Sequence, residues 1–277
     1  MKVTFQGNIM YQYIFLAACL SIVGCVGVFS KQGLDFDANR VHLVDEINGS
    51  YFFRGNEPLI GNGKNRKFAY TELISKINQR LEHEGHEKLT PDSFQLVDIS
   101  LLNTAADEFD LKIERKFFEE NPNKGKFVHW PMYGITEMVP ANETVRTVGK
   151  ITLDLLYPTF LLMRTLTKID VNKVSQHNKT IHKEVKKLHK MLQSSGENNT
   201  KKTVFYMHCN AGCDRTGEFI AAYRMTINKL SCSDASDKNT GECGRPQNYY
   251  SVNGTYWYCR YLRSIGSEVV CDCPEKP

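Results

Sequence analysis

One stretch does most to limit what this chain can fold into. Thr203-Val-Phe-Tyr-Met207 is a short apolar run of β-type residues, and Gly217 to Leu230 reads as a helix. Between them lies His208-Cys-Asn-Ala-Gly-Cys-Asp-Arg-Thr-Gly217. A strand that passes straight into a helix through a glycine-containing loop is the building unit of an α/β sheet. In such sheets ligands bind beyond the carboxyl ends of the strands. The loop from Cys209 to Arg215 is therefore the first place to look for a site.

The rest of the chain repeats the alternation. Ser50–Arg54, Phe94–Ile99 and Lys126–Trp130 read as strands, the last ended by Pro131. Lys67–Glu84, Ala105–Glu120 and Thr180–Leu192 carry apolar residues at helical spacing. Val145–Leu166 is also helix-like, with a kink expected at Pro158. The expected fold is α/β, a central parallel-rich sheet flanked by helices.

The ends differ from the middle. Lys2 is the only charge before Lys31, and Tyr13–Phe29 is almost wholly apolar. Residues 1–30 read as a secretory signal peptide. An uncleaved anchor is a rival, and Ile22-Val-Gly-Cys25 offers a lipobox-like alternative; membrane association is expected only in those two cases. Acceptor triplets at Asn48, Asn142, Asn178, Asn198 and Asn253 fit an exported glycoprotein. Of nine cysteines, Cys232, Cys243, Cys259, Cys271 and Cys273 crowd the end of the chain. In a secreted protein they read as disulfides, and their odd number leaves one unpaired or bonded elsewhere. Zinc on Cys271-Asp-Cys273 is the weaker reading, since its spacing is not that of a zinc ribbon. A net charge of +4 without a basic block excludes an evident nucleic-acid face. The expected domain is 31–277, with a cysteine-bearing extension from about 231.

The segment His208 to Gly217 resembles His-Cys-x5-Arg-Thr-Gly, the signature of the cysteine-dependent protein tyrosine phosphatase superfamily. Tyr51–Pro58, Leu96–Ile99 and Val128–Pro131 resemble the leading strands of its dual-specificity members. The resemblance runs from about Ser50 to Leu230 and implies a protein tyrosine phosphatase-like fold with no metal or cofactor. The physical roles follow residue by residue. A helix N-terminus just beyond Cys209 stabilises a thiolate, the form that attacks phosphorus. Backbone N–H groups of Asn210, Ala211, Gly212, Cys213 and the residues up to Gly217 can surround phosphate oxygens. Arg215 can hold two of those oxygens at once. Thr216 can donate toward the sulfur, and His208 can position the cysteine.

Two matters stay open. The family places an Asp acid after the strand at Val128, and here that loop offers only Glu137. Asp214 is the other candidate acid, because Asp-Arg-Thr resembles the loop ending of myotubularin and Sac-type phosphatases. Cys213 is either an inert filler or a resolving thiol for Cys209. The expected substrate is a phosphorylated protein, with an inositol phosphate or phosphoinositide as the alternative. A catalytically dead phosphate-binding module is a third reading.

Overall fold

The computed structural model describes residues 34–104, 107–132, 171–197 and 201–273. The leader-like segment 1–30, the helix expected over Val145–Leu166, Glu137, and the acceptor triplets at Asn142 and Asn198 lie outside the described residues.

The strands in chain order are β1 (His42–Ile47), β2 (Ser50–Asn56), β3 (Leu59–Ile60), β4 (Lys67–Phe68), β5 (Phe94–Ser100), β6 (Gly125–His129) and β7 (Lys202–Cys209). The helices are α1 (Tyr70–His83), α2 (Glu108–Glu120), α3 (Val171–Glu197), α4 (Arg215–Tyr223), α5 (Cys232–Cys243) and α6 (Tyr249–Ser264). The main sheet has the order β1-β2-β7-β5-β6. β1 joins β2 antiparallel, and β2, β7, β5 and β6 run parallel. The expected α/β architecture is present.

Side chains leave β7 alternately toward two cores, as a pleated strand requires. Val204 and Tyr206 pack with Leu73, Ile77 and Leu81 of α1 and Phe118 of α2. Phe205, Met207 and Cys209 face the other way, toward Ile181, Val185, Leu188 and Leu192 of α3 and Phe219 of α4. The spacing of the α3 residues forms one apolar stripe. Burial on both faces explains why β7 reads as an unbroken apolar run over Val204–Met207 rather than an alternating one.

Several boundaries move. The helix expected from Lys67 begins at Tyr70, because Lys67–Phe68 pairs with Leu59–Ile60. The helix expected over Gly217–Leu230 is α-helical only to Tyr223; Arg224–Asn228 is a π-helical turn, closed by Lys229 at φ 61°. Residues 231–273 are no appended tail. Tyr258, Cys259 and Leu262 of α6 lie in the same core as Phe205 and Met207.

The cysteines settle into pairs: Cys213–Cys243, Cys232–Cys273 and Cys259–Cys271. The odd member of the C-terminal five is Cys243, and its partner lies in the loop. Both roles considered for Cys213 are thereby corrected. Its sulfur is bonded to α5, so it neither fills space as a thiol nor resolves Cys209. Zinc on Cys271 and Cys273 is overturned as well, since both sulfurs are spent in disulfides.

Candidate active site

The loop Asn210–Asp214 is shaped by what holds its carbonyls. Asn210 O accepts from Glu57 N at 3.3 Å. Ala211 O accepts from Arg40 Nη1 at 2.7 Å, and Gly212 O from Arg54 Nη2 at 2.5 Å. Cys213 O accepts from Asn239 Nδ2 at 3.4 Å, and Asp214 O from Gln247 Nε2 at 3.3 Å. Every carbonyl of the loop is thus taken by a donor from the surrounding fold. The N–H groups of Ala211, Gly212, Cys213 and Asp214 donate to no acceptor among the described residues. Unpaired N–H groups in succession, beside a helix N-terminus, form an anion cradle. Gly212 makes the path feasible: its φ is +71°, and a Cβ there would lie 2.3 Å from Gly55 O.

Cys209 ends β7, is 2% exposed, and is the free cysteine among the described residues. Arg215 opens α4, and its Nη1 lies 2.8 Å from Asp107 Oδ2 and 3.3 Å from Leu101 O. Thr216 is fully buried, and its hydroxyl makes no hydrogen bond, so the expected bond to the sulfur is absent here. Gly217 packs against the side chain of Asn239, which leaves no room for a Cβ.

His208 does not bond to the cysteine through its ring. Its Nε2 lies 3.2 Å from Asp98 and 3.6 Å from Glu114, all three side chains being fully buried. Their ligand-type atoms lie within 4.8 Å of one another, close enough to share a cation. Burial and the charge of Asp98 hold the Glu114 carboxyl well above the ordinary range. A second buried group lies against Asn210. Glu57 accepts from Asn210 Nδ2 at 3.0 Å and from Arg66 Nη2 at 3.3 Å, and Arg66 Nε bonds Asp110 at 2.7 Å. Burial and the neighbouring Asp110 push Glu57 up to about 9.

Of the two acids named from the sequence, one is among the described residues. Glu137 lies outside the described residues. Asp214 sits within the loop but is gripped from outside: Arg245 Nη2 lies 2.7 Å from Oδ2, and Arg245 Nη1 and Asn248 N lie 3.2 and 2.9 Å from Oδ1. Burial alone would raise this carboxyl, but the bonds from Arg245 and Asn248 outweigh it and hold it below its ordinary value.

Sequence reasoning missed the frame around the loop. Arg54 is buried, bonds Asn239 and Glu242 of α5, and supports Gly212. Arg224 bonds the other oxygen of Glu242 at 2.5 Å. Burial would raise Glu242, yet Arg224 and Arg54 keep it below the usual range and therefore charged. These residues carry no motif. The one available signal was the odd cysteine count, which called for a partner outside the C-terminal group.

No family model matches this sequence, and no curated protein matches it. Among solved structures the chain is similar to a kinase associated phosphatase bearing a serine in place of its catalytic-site cysteine. That match has 8% identity and a TM-score of 0.45, and covers 86% of this chain and 100% of the other. It is also similar to the PTP-2 phosphatase of Cydia pomonella, at 11% identity and a TM-score of 0.26, over 78% of this chain and 87% of that one.

Proposed function

We propose that this chain is a cysteine-dependent phosphatase that hydrolyses phosphate monoesters through a cysteinyl-phosphate intermediate. The observation that carries the reading is the loop itself: its carbonyls are tied to the fold, its N–H groups are unspent, and Cys209 and Arg215 stand at its two ends. A tetrahedral dianion fits that cradle, with Arg215 able to reach two of its oxygens. Cys209 Sγ attacks phosphorus as the ester P–O bond breaks. Water then attacks the phosphoryl group, the P–S bond breaks, and the thiolate returns.

A phosphoprotein substrate is favoured over a polyphosphorylated inositol. Extra phosphates need cations at the variable loop positions, and Asn210, Ala211 and Cys213 supply none. Cys213 is moreover committed to Cys243. The three disulfides support an oxidising compartment, in keeping with the leader-like segment. Phosphate release from phosphopeptides, phosphoinositides and soluble inositol phosphates, with Cys209→Ser as control, tests the reading. Turnover of phosphopeptides that vanishes in the control is the expected result. Phosphate binding without turnover of any ester would leave only the binding module.

A further inference from the structure

We propose that Asp107 is the general acid of this site, delivering the proton to the leaving oxygen. The inference rests on the phosphatase reading above and adds to it a catalytic residue that no motif marks. The requirement comes from chemistry. An alkoxide or phenoxide leaves phosphorus poorly, and a carboxyl within reach must protonate it as the bond breaks.

Three observations select Asp107. First, it touches the phosphate clamp: Oδ2 lies 2.8 Å from Arg215 Nη1. An anion held by that guanidinium would lie one side chain from the carboxyl. Second, its placement is fixed. Asp107 precedes α2, its Oδ2 accepts from Asn103 N at 3.0 Å, and its carbonyl accepts from Leu111 N at 3.1 Å. Third, its exposure suits the task. The side chain is 14% exposed, whereas Cys209 is 2% exposed. In-line displacement puts the leaving oxygen on the far side of phosphorus from the sulfur, toward the open rim. The rival carboxylates near the loop are engaged elsewhere. Arg245 and Asn248 hold both oxygens of Asp214 from outside the loop, whereas the arginine on Asp107 is the phosphate clamp itself, and Glu57 is buried against Asn210 and Arg66.

The steps balance. The Sγ electron pair forms the P–S bond, the ester P–O bond breaks, and the departing oxygen takes the proton from Asp107. In the second step a water oxygen attacks phosphorus and gives its proton to the Asp107 carboxylate. The P–S bond then breaks, and both the thiolate and the protonated carboxyl are restored.

The test compares wild type, Asp107→Asn, Asp107→Glu, Asp214→Asn and Glu137→Gln on aryl phosphates graded by leaving group, with an alkyl phosphate at the poor end. Inhibition by inorganic phosphate is measured in the same proteins and reports a folded loop. We expect Asp107→Asn to lose ~10²-fold or more in kcat on the poorest leaving group. The loss should shrink steadily as the leaving group improves, and Asp107→Glu should recover part of it. The Ki for phosphate should not rise in Asp107→Asn, since Arg215 loses a competing partner. An equal loss across the series, or a raised Ki, would make Asp107 a positioning residue for Arg215 and overturn the proposal. A graded loss in Asp214→Asn or Glu137→Gln instead would overturn it too. Failure of the underlying reading has a different appearance, because wild type would then turn over none of the esters.

Discussion

Two aspartates stand beside Arg215, and their surroundings are opposite. Asp214 precedes Arg215 in the chain, yet its carboxylate points to the C-terminal region, where Arg245 and the Asn248 N–H take both oxygens. Asp107 is far away in sequence, yet its carboxylate meets the Arg215 guanidinium directly. Position in a motif therefore says less about an acid's role than the identity of the groups that hold it. One aspartate belongs to the frame of the loop and the other to its mouth.

Arg215→Lys should break this arrangement most severely. A lysine presents a point charge and cannot hold two phosphate oxygens while leaving Asp107 free. We expect kcat/KM to fall by ~10²–10³-fold on every ester, the usual loss for a donor aimed at transition-state charge. Steady-state rates across the leaving-group series check this, and a graded loss in place of a uniform one would assign the proton transfer to Arg215's neighbourhood as a whole.

Cys243→Ser sharpens the comparison from the frame side. The Cys213–Cys243 bond closes a 30-residue separation. Its removal should cost about 3–4 kcal/mol of stability by the loop-entropy estimate, read from denaturant melts. Activity below the melting transition should fall far less than in Asp107→Asn and equally for all leaving groups, because Arg54 and Asn239 still hold Gly212 and Cys213.

Asp214→Asn should have the smallest effect. We expect less than about a tenfold loss of rate, independent of leaving group, and about 1 kcal/mol of stability from its part-exposed bonds. The pH dependence follows from sign. Asp214 is held below its ordinary value, so its contribution is present at neutral pH and is lost as the pH falls through the acid range. Arg245→Ala should therefore flatten the acid limb of stability, measured by urea melts between neutral and acid pH.

What the sequence made legible, and what it hid, divides along the same line. Thr203–Met207 is mainly apolar, and Phe94–Ile99 largely buried, because helices cover both sides of the sheet, and such runs are plain to read. The loop was legible because thiolate chemistry and a phosphate cradle demand fixed spacings. β1 was not: it is an edge strand of mixed residues, His42-Leu-Val-Asp-Glu-Ile47, mostly half-buried and without an apolar run. α5 was hidden too. Its residues are mostly polar, and it is held by Asn239, Glu242 and two disulfides rather than by an apolar stripe. Asp107 and Glu57 meet Arg215 and Asn210, and Asp98 of β5 and Glu114 of α2 meet His208, so only the folded chain brings these acids together.

The covalent intermediate is the most direct measurement of the central claim. Wild type is mixed with an aryl phosphate, quenched in acid within the first turnover, and mapped by mass spectrometry. The account predicts one phosphoryl group on the peptide carrying Cys209, absent from Cys209→Ser and accumulating in Asp107→Asn when the leaving group is good, because the carboxyl also activates the water. Turnover by wild type with no phosphoryl group on Cys209, or turnover retained in Cys209→Ser, would contradict it.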